Sequence, residues 1–513
     1  ATGRWAPRRQ GPRQGAAAPP PQGRGARGRP TAAVPPPSII DRFSMLGHNG
    51  AVMDRNAYLT ELSDYYVSKH PSSREHFDWA SGALLGGGSH NLRLFSPFPF
   101  YDADARGATV TDIDGNTYVD FWQGHFANVL GHNPPVVIDA LKKELDNGRG
   151  LITGFPGRHQ AELAELILAR VGAERIRFTT SGALATMNAI LLARAYTGRN
   201  KIIKVGGGWH GGHPFALKGI HTYEHGLGEL ESRGLPPCSD DEIVVTRFND
   251  LDDLDSVFEQ HGFEAACFIL EPMVGSGGLI FADPAYMSRA RELTREHGAL
   301  LILDEVITGF RLHAGALQSL YRVSPDLSVF GKAIGGGMPV AAVAGREDVM
   351  SLAAPGTPHD QKVKFDGGTF AAHPQAMIAG VAFLRYLIEH EDEIYPYNGE
   401  LARTARIGIE ERLDAYDIPA RCGGDASPVS PNSSLVAVHV LSDGAESVRS
   451  PEQVHDPERS DIELRDKLFK LGMLKEGFHV VHGYGGVSYA HTEKQIQGSL
   501  DAFERIAKRL SAE

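Results

Sequence analysis

From residue 159 to residue 345 the chain repeats one pattern: a short apolar run, a glycine- or proline-marked turn, then apolar residues at helical spacing. The runs are "RIRFT", "NKIIKV", "AACFIL", "ALLILDE" and "LSVF", while "HQAELAELILARV" and "PAYMSRARELTREHG" carry the helical period. Pro284 opens the second of these helices and Gly298 closes it. Unbroken apolar runs are strands buried on both faces, and strands alternating with helices build a mostly parallel sheet covered on both sides. The expected fold class is therefore α/β. Ligands of such sheets bind beyond the carboxyl ends of the strands. Ser181, Trp209, Glu271, Asp304 and Lys332 all fall at or just after such ends.

Outside this region the pattern changes. "GATVTDIDGNTYVDF" (107–121) alternates apolar and polar residues around Asp114-Gly115, which predicts a two-strand hairpin. "DRNAYLTELSDYYVSKH" upstream reads as helix. Beyond residue 371, helices ("AMIAGVAFLRYLIEH", "IELRDKLFKLG") mix with strands ("LVAVHVL", "HVVHGYGGVSYA"). The expected organisation is a large domain over 125–370 and a smaller α+β domain over 371–513. An N-terminal segment, 39–124, is expected to join the smaller domain and to edge the site.

Residues 1–38 stand apart. The first 30 carry seven arginines and no acid, in surroundings such as "PPPQGRGARGRP". That composition predicts a disordered tail. Subtracting those arginines from the formal net charge of −12 leaves the remainder near −19. So acidic a body is a poor nucleic-acid binder. No apolar run nears the roughly 18–20 residues that cross a bilayer, so no membrane partner is expected. Cys238, Cys267 and Cys422 are far apart and form no C-x-x-C. No disulfide framework is expected, and the reducing cytoplasm is the expected compartment.

"LLILDEVITGF" (300–310) places Asp304 and Glu305 at the end of an apolar run. A buried carboxylate costs several kcal/mol unless a cation or hydrogen-bond donors meet it. A protonated heterocycle would serve for Asp304, as would a core arginine or a helix end; Glu305 reads as a structural group. Lys332, in "VFGKAIGGGMP", is either a strand-end surface residue or a nucleophile where glycine lets a ligand approach. Ser181-Gly182-Ala183 stands between a strand and a helix start, where free N–H groups make an anion site, although Ser181 as a plain N-cap fits equally. Trp209, between glycines in "GGGWHGG", is either core or a platform for a flat ring. His210 and His213 have no third ligand at a suggestive spacing, so no metal is expected. Thr369, in "DGGTFAAHP", is a second candidate phosphate donor.

Together, "TSGALATMNAILLARAYTGRNKIIKVGGGWHGG", "EPMVGSGGLI", "ALLILDEVITGFR", "PDLSVFGKAIGGGMPVAAVAGREDVM" and "GGTFAAHP" resemble class III pyridoxal-phosphate (PLP) aminotransferases in order and spacing. The nearest branch holds glutamate-1-semialdehyde aminomutase and the β-amino-acid and D-phenylglycine aminotransferases. The resemblance implies a PLP-dependent transferase of fold type I, with 125–370 as the cofactor domain, working as a homodimer with shared sites on a small-molecule amino donor and a carbonyl acceptor. It implies that Lys332 carries PLP as an imine and moves the substrate proton, and that Asp304 pairs with the pyridine nitrogen. Trp209 and Val306 would cover the two ring faces. Ser181, Gly182 and Ala183 would hold the phosphate, Thr369 would reach the neighbouring subunit's phosphate, and Glu271 would line the site. Intramolecular transfer, as in the aminomutase, is the alternative activity.

Three departures accompany the resemblance. Ala183-Leu184 stands where the family commonly has Thr-Glu. Gly483 aligns with an acidic active-site residue of the aminomutase, which argues against that enzyme's substrate. "LRLFSPFPF" (92–100) looks more like the β-amino-acid branch, whose nearby arginine binds carboxylate. Arg93 or His90 would take that role here, unless each is solvated surface.

Overall fold

Three antiparallel strands come first: β1 (Asp102–Arg106), β2 (Thr109–Asp112) and β3 (Thr117–Asp120). β2 and β3 are the hairpin the alternation predicts, and Gly115 takes a φ of +86° in the turn between them. The computed structural model describes residues 55–221, 228–427, 429–442 and 444–511. The expected tail and the first part of the N-terminal segment lie outside the described residues.

The apolar runs build a seven-stranded sheet. Its first four strands are β4 (Arg175–Thr179), β5 (Lys201–Val205), β6 (Ile243–Thr246) and β7 (Ala265–Leu270). A small hairpin of β8 (Met273–Val274) and β9 (Ile280–Phe281) follows. Then come β10 (Leu300–Glu305), β11 (Leu327–Phe330) and β12 (Ala341–Gly345). The spatial order is β4-β12-β11-β10-β7-β5-β6, with only β12 running against the rest. Every residue of β7 and β10 is buried, because helices cover both faces. Fully burying one Leu or Ile side chain contributes about 1.5–3 kcal/mol, so these central strands are strong anchors.

Helix Gly182–Thr197 packs against β7, β11 and β12, and helix Pro284–His297 against β7 and β10. The latter begins at the predicted proline and ends at Gly298, whose φ is +65°. On the other side of the chain, β13 (Ala420–Gly423) and β14 (Leu435–Val440) pair antiparallel. β15 (Phe478–His479) runs parallel to β3, and β16 (Gly485–Gly486) pairs with β14. The continuous strand expected from "HVVHGYGGVSYA" is thus two dipeptides, because Gly483 and Gly485 turn the chain at φ +82° and +133°.

Sequence-distant segments share one core. Tyr58, Leu62, Phe98 and Phe121 pack in the same cluster as Leu401, Ile409, Phe469 and Phe503. The N-terminal segment is therefore bound to the C-terminal part of the chain. Among the described residues, no helix is long and apolar enough to cross a membrane.

Candidate active site

Successive residues of a strand face opposite sides of a sheet, and the two acids ending β10 separate accordingly. Glu305 is wholly buried and accepts hydrogen bonds from Leu317 N (2.7 Å), Gln318 N (2.8 Å) and Thr308 Oγ1 (3.0 Å). Burial pushes its carboxyl up to about 7. It is a structural group, as the sequence implied. Asp304, also buried, accepts from His210 Nδ1 at 2.9 Å and from Val306 N at 3.1 Å.

His210 comes from the loop after β5, and Glu271 fixes that loop. The Glu271 carboxylate accepts from Trp209 N (2.9 Å) and Gly275 N (3.1 Å). Burial, then the charge of Asp304, raises the Glu271 carboxyl above the usual carboxylate range. Thr186, on the helix that starts at Gly182, donates its hydroxyl to the carbonyl of His210. Gly211 has a φ of +98°, and a Cβ there would stand 2.4 Å from the Cβ of Ala183. The small residue at 183 thus lets the loop lie directly on the helix start. These contacts leave Trp209 44% exposed, on the loop surface rather than in the core.

Lys332 stands one residue past the end of β11, after Gly331, in a strained conformation with φ +45°. Burial lowers its amine below the ordinary lysine value, while Asp304 and Glu271 act in the opposite direction. The three groups therefore share one electrostatic environment. Val306 lies between two glycines: a Cβ on Gly182 or on Gly331 would come within 3.1 Å of its methyl carbons. Ser181 caps the helix, its hydroxyl accepting from Leu184 N at 3.3 Å. The N-cap reading holds, and the helix still presents its positive end here. Thr369 is exposed, and a Cβ on its neighbour Gly368 would lie 3.9 Å from Thr180 Oγ1, beside Ser181. His90 and Arg93 are exposed, and both Arg93 and Lys332 act on the His90 imidazole, whose value burial chiefly lowers.

Two features escaped the sequence reading. His210 was weighed only as a metal ligand, yet it is the side chain hydrogen-bonded to Asp304. Its place beside Trp209, between glycines, was the available signal. The second is a left-handed turn after β3. Gln123, Gly124, His125 and Phe126 have φ of 45°, 60°, 57° and 70°. Such a turn costs roughly 1–2 kcal/mol per non-glycine residue. Asp120 offsets that cost by accepting from Trp122 N (2.9 Å), Gln123 N (3.0 Å), His132 Nε2 (2.7 Å) and His479 Nδ1 (2.8 Å). Nothing in "DFWQGHF" announced this.

The architecture recurs in an omega-transaminase from Sphaerobacter thermophilus, with a TM-score of 0.77 and 31% identity over 87% of this chain and all of that one. It recurs also in a β-phenylalanine aminotransferase from Variovorax paradoxus, with a TM-score of 0.76 and 29% identity over 88% and 96% of the two chains. This is the fold-type-I transferase architecture. In sequence, a glutamate-1-semialdehyde 2,1-aminomutase of Thermoplasma volcanium is 32% identical over 86% of this chain and all of its own length. That of Methanosarcina acetivorans is 37% identical over 84% and 97%. The model of the class-III aminotransferases matches residues 96–397, and the chain belongs to that family. It is accordingly a PLP-dependent enzyme.

The residues present fit PLP. Val306 donates its N–H to the buried Asp304 and packs against Gly182 at the helix start and Gly331 beside Lys332, leaving no room for larger side chains at either glycine, while Trp209 stands half-exposed on the loop that carries His210.

Proposed function

We propose that the protein is an aminotransferase that takes an amino group from a small-molecule donor and passes it to a ketone or aldehyde acceptor. The observation that carries this reading is the placement of Asp304 at the end of β10 and of Lys332 just past the end of the adjacent parallel strand β11, with Asp304 held by His210 from the Trp209 loop. Bound PLP supplies an electron-withdrawing ring that takes up the charge left when a proton leaves the amino-bearing carbon. Lys332 Nζ anchors the cofactor and then moves that proton, and burial lowers the basicity of this amine while Asp304 and Glu271 act the other way. Asp304 supplies the fixed negative charge for the pyridine nitrogen, oriented by His210. Trp209 and Val306 cover the ring faces. Ser181, Gly182 and Ala183, with the helix N-terminus, hold the phosphate. Glu271 fixes the Trp209 loop and lines the site.

Intramolecular amino transfer is the second reading, favoured by the sequence relatives named aminomutases. Position 483 favours the first. Gly483 has a φ of +82°, and a Cβ there would stand 2.7 Å from Val438 Cβ, so no acidic side chain fits.

The enzyme works as a cytoplasmic homodimer with shared sites. Leu85, Leu151, Phe155 and Phe370 are large apolar residues at least 60% exposed, and Phe370 adjoins Thr369, which reaches the neighbouring phosphate. Residues 125–370 hold the cofactor domain, and 55–124 with 371–511 the smaller one.

Lys332→Ala tests the core of this reading. The variant should lose both turnover and the long-wavelength absorption of lysine-bound cofactor; normal turnover in it would refute the assignment. Consumption of a separate amino donor, one per product, distinguishes transfer between molecules from isomerisation.

A further inference from the structure

At the end of the sheet opposite Asp304 and Lys332, a cavity of about 320 Å³ opens among charged side chains. Asp326 stands just before β11 and Glu174 just before β4, while Arg346 follows β12, the strand that runs the other way. With Arg291 and Arg295 from helix Pro284–His297, these residues set three guanidiniums against two carboxylates in the lining. The cavity is large enough for a small ligand.

Asp326 organises the cavity. Nearly inaccessible to water, it accepts from Leu301 N (2.8 Å), Arg291 Nη1 (2.6 Å) and Arg346 Nη1 (2.8 Å). The two arginines it holds are used to different extents. Arg346 also donates Nε to Asp348 Oδ1 (3.0 Å) and Nη2 to the Tyr196 hydroxyl (3.1 Å). Arg291 has both terminal nitrogens on Asp326, but its Nε is buried and meets no acceptor among the described residues. A buried N–H without an acceptor is costly. Arg295 lies four residues beyond Arg291, so the two share a helix face. The Arg295 side chain is exposed and makes no ion pair among the described residues. Ser324 adds a hydroxyl to the lining.

We propose that this cavity is a second ligand site, remote from the catalytic centre, for a small molecule carrying one oxyanion group. Arg295 supplies the charge that no carboxylate neutralises. Arg291, fixed by Asp326, supplies a directed hydrogen bond from Nε. Asp326 and Glu174 limit the positive charge, so one anionic group is accommodated and a polyanion is repelled. Guanidinium groups match the oxygens of carboxylate and phosphate alike. The shared chemistry is an oxyanion, and the assay below separates the two sources. The site is independent of which amino transfer the enzyme performs.

The test uses the PLP-loaded enzyme, in which the cofactor's own phosphate site is filled. Inorganic phosphate and propionate are titrated separately by calorimetry at constant ionic strength. Wild type should bind at least one of them saturably, one per chain, and the tighter of the two identifies the class of ligand. Arg295→Gln alters an exposed, unpaired side chain, so circular dichroism should be unchanged. It should weaken that binding about tenfold or more, the factor a charge-assisted hydrogen bond supplies. Arg295→Glu should abolish the binding, and Arg295→Lys, which keeps the charge without the planar fork, should retain part of it. Arg403→Gln removes an exposed charge elsewhere and should leave the affinity at the wild-type value. No saturable binding of either anion would overturn the proposal. So would equal affinity in wild type and Arg295→Glu, or a loss in Arg403→Gln as large as that in Arg295→Gln. Turnover is not read, so failure of the aminotransferase reading would leave these outcomes untouched.

Discussion

His210→Phe isolates the hydrogen bond beneath the cofactor site. His210 Nδ1 donates to Asp304 at 2.9 Å, with both side chains nearly inaccessible to water. Phenylalanine fills similar volume without a donor. Among the described residues, Asp304 would keep Val306 N as its hydrogen-bond donor. A hydrogen bond to a buried charged acceptor contributes about 1.5–3 kcal/mol, and 1.4 kcal/mol is a factor of ten. PLP affinity should therefore fall about ten- to hundredfold. The assay is a cofactor titration of apo protein, read by lysine-bound absorbance, with circular dichroism as the folding control. His210→Gln retains an amide donor and should recover part of the loss. Wild-type affinity in His210→Phe would refute the idea that this imidazole secures the carboxylate. So would an equal loss in both variants, since the effect would then come from packing.

Three further outcomes follow from named contacts. Glu305→Ala leaves Leu317 N, Gln318 N and Thr308 Oγ1 without their acceptor, and should cost roughly 3 kcal/mol or more in a urea unfolding curve. Because burial raises the Glu305 carboxyl to about 7, the folded state holds its proton more tightly than the unfolded state. Its contribution is present at low pH and is lost as pH rises from about 4.5 through 7; Glu305→Gln should flatten that slope. Asp120 is the opposite case: burial opposes its charge, but hydrogen bonds from His132 and His479 prevail and hold it well below the usual carboxylate range. Its contribution is present at neutral pH and lost as acid protonates it, so Asp120→Asn should lower stability at pH 7 by about 3 kcal/mol and weaken the acid dependence of thermal unfolding. Gly211→Ala places a methyl 2.4 Å from Ala183 Cβ at a φ of +98°. It should displace the Trp209–His210 loop and lower cofactor affinity at least tenfold by the titration above.

The sheet was legible because its information is local. "AACFIL" and "ALLILDE" are apolar without alternation, and only strands covered on both faces tolerate that. The helix over Pro284–His297 carried both of its end signals in adjacent residues. The continuous strand expected in "HVVHGYGGVSYA" is broken for a local reason: its glycines adopt conformations that interrupt a ladder. Glu305 was legible as structural because strand residues alternate sides, but its partners, twelve and thirteen positions away, were not.

By itself, then, the order of residues determined an α/β sheet with Ser181, Trp209, Glu271, Asp304 and Lys332 at its strand ends, because period and punctuation act between near neighbours. Tertiary structure alone decided which side chain meets which. His210 reaches Asp304 across 94 positions, and His479 reaches Asp120 across 359. Such partnerships depend on crossover connections and shared cores that bring remote segments within hydrogen-bond distance. The strain of the His125 turn likewise exists only because Asp120 and its remote partner hold it in place.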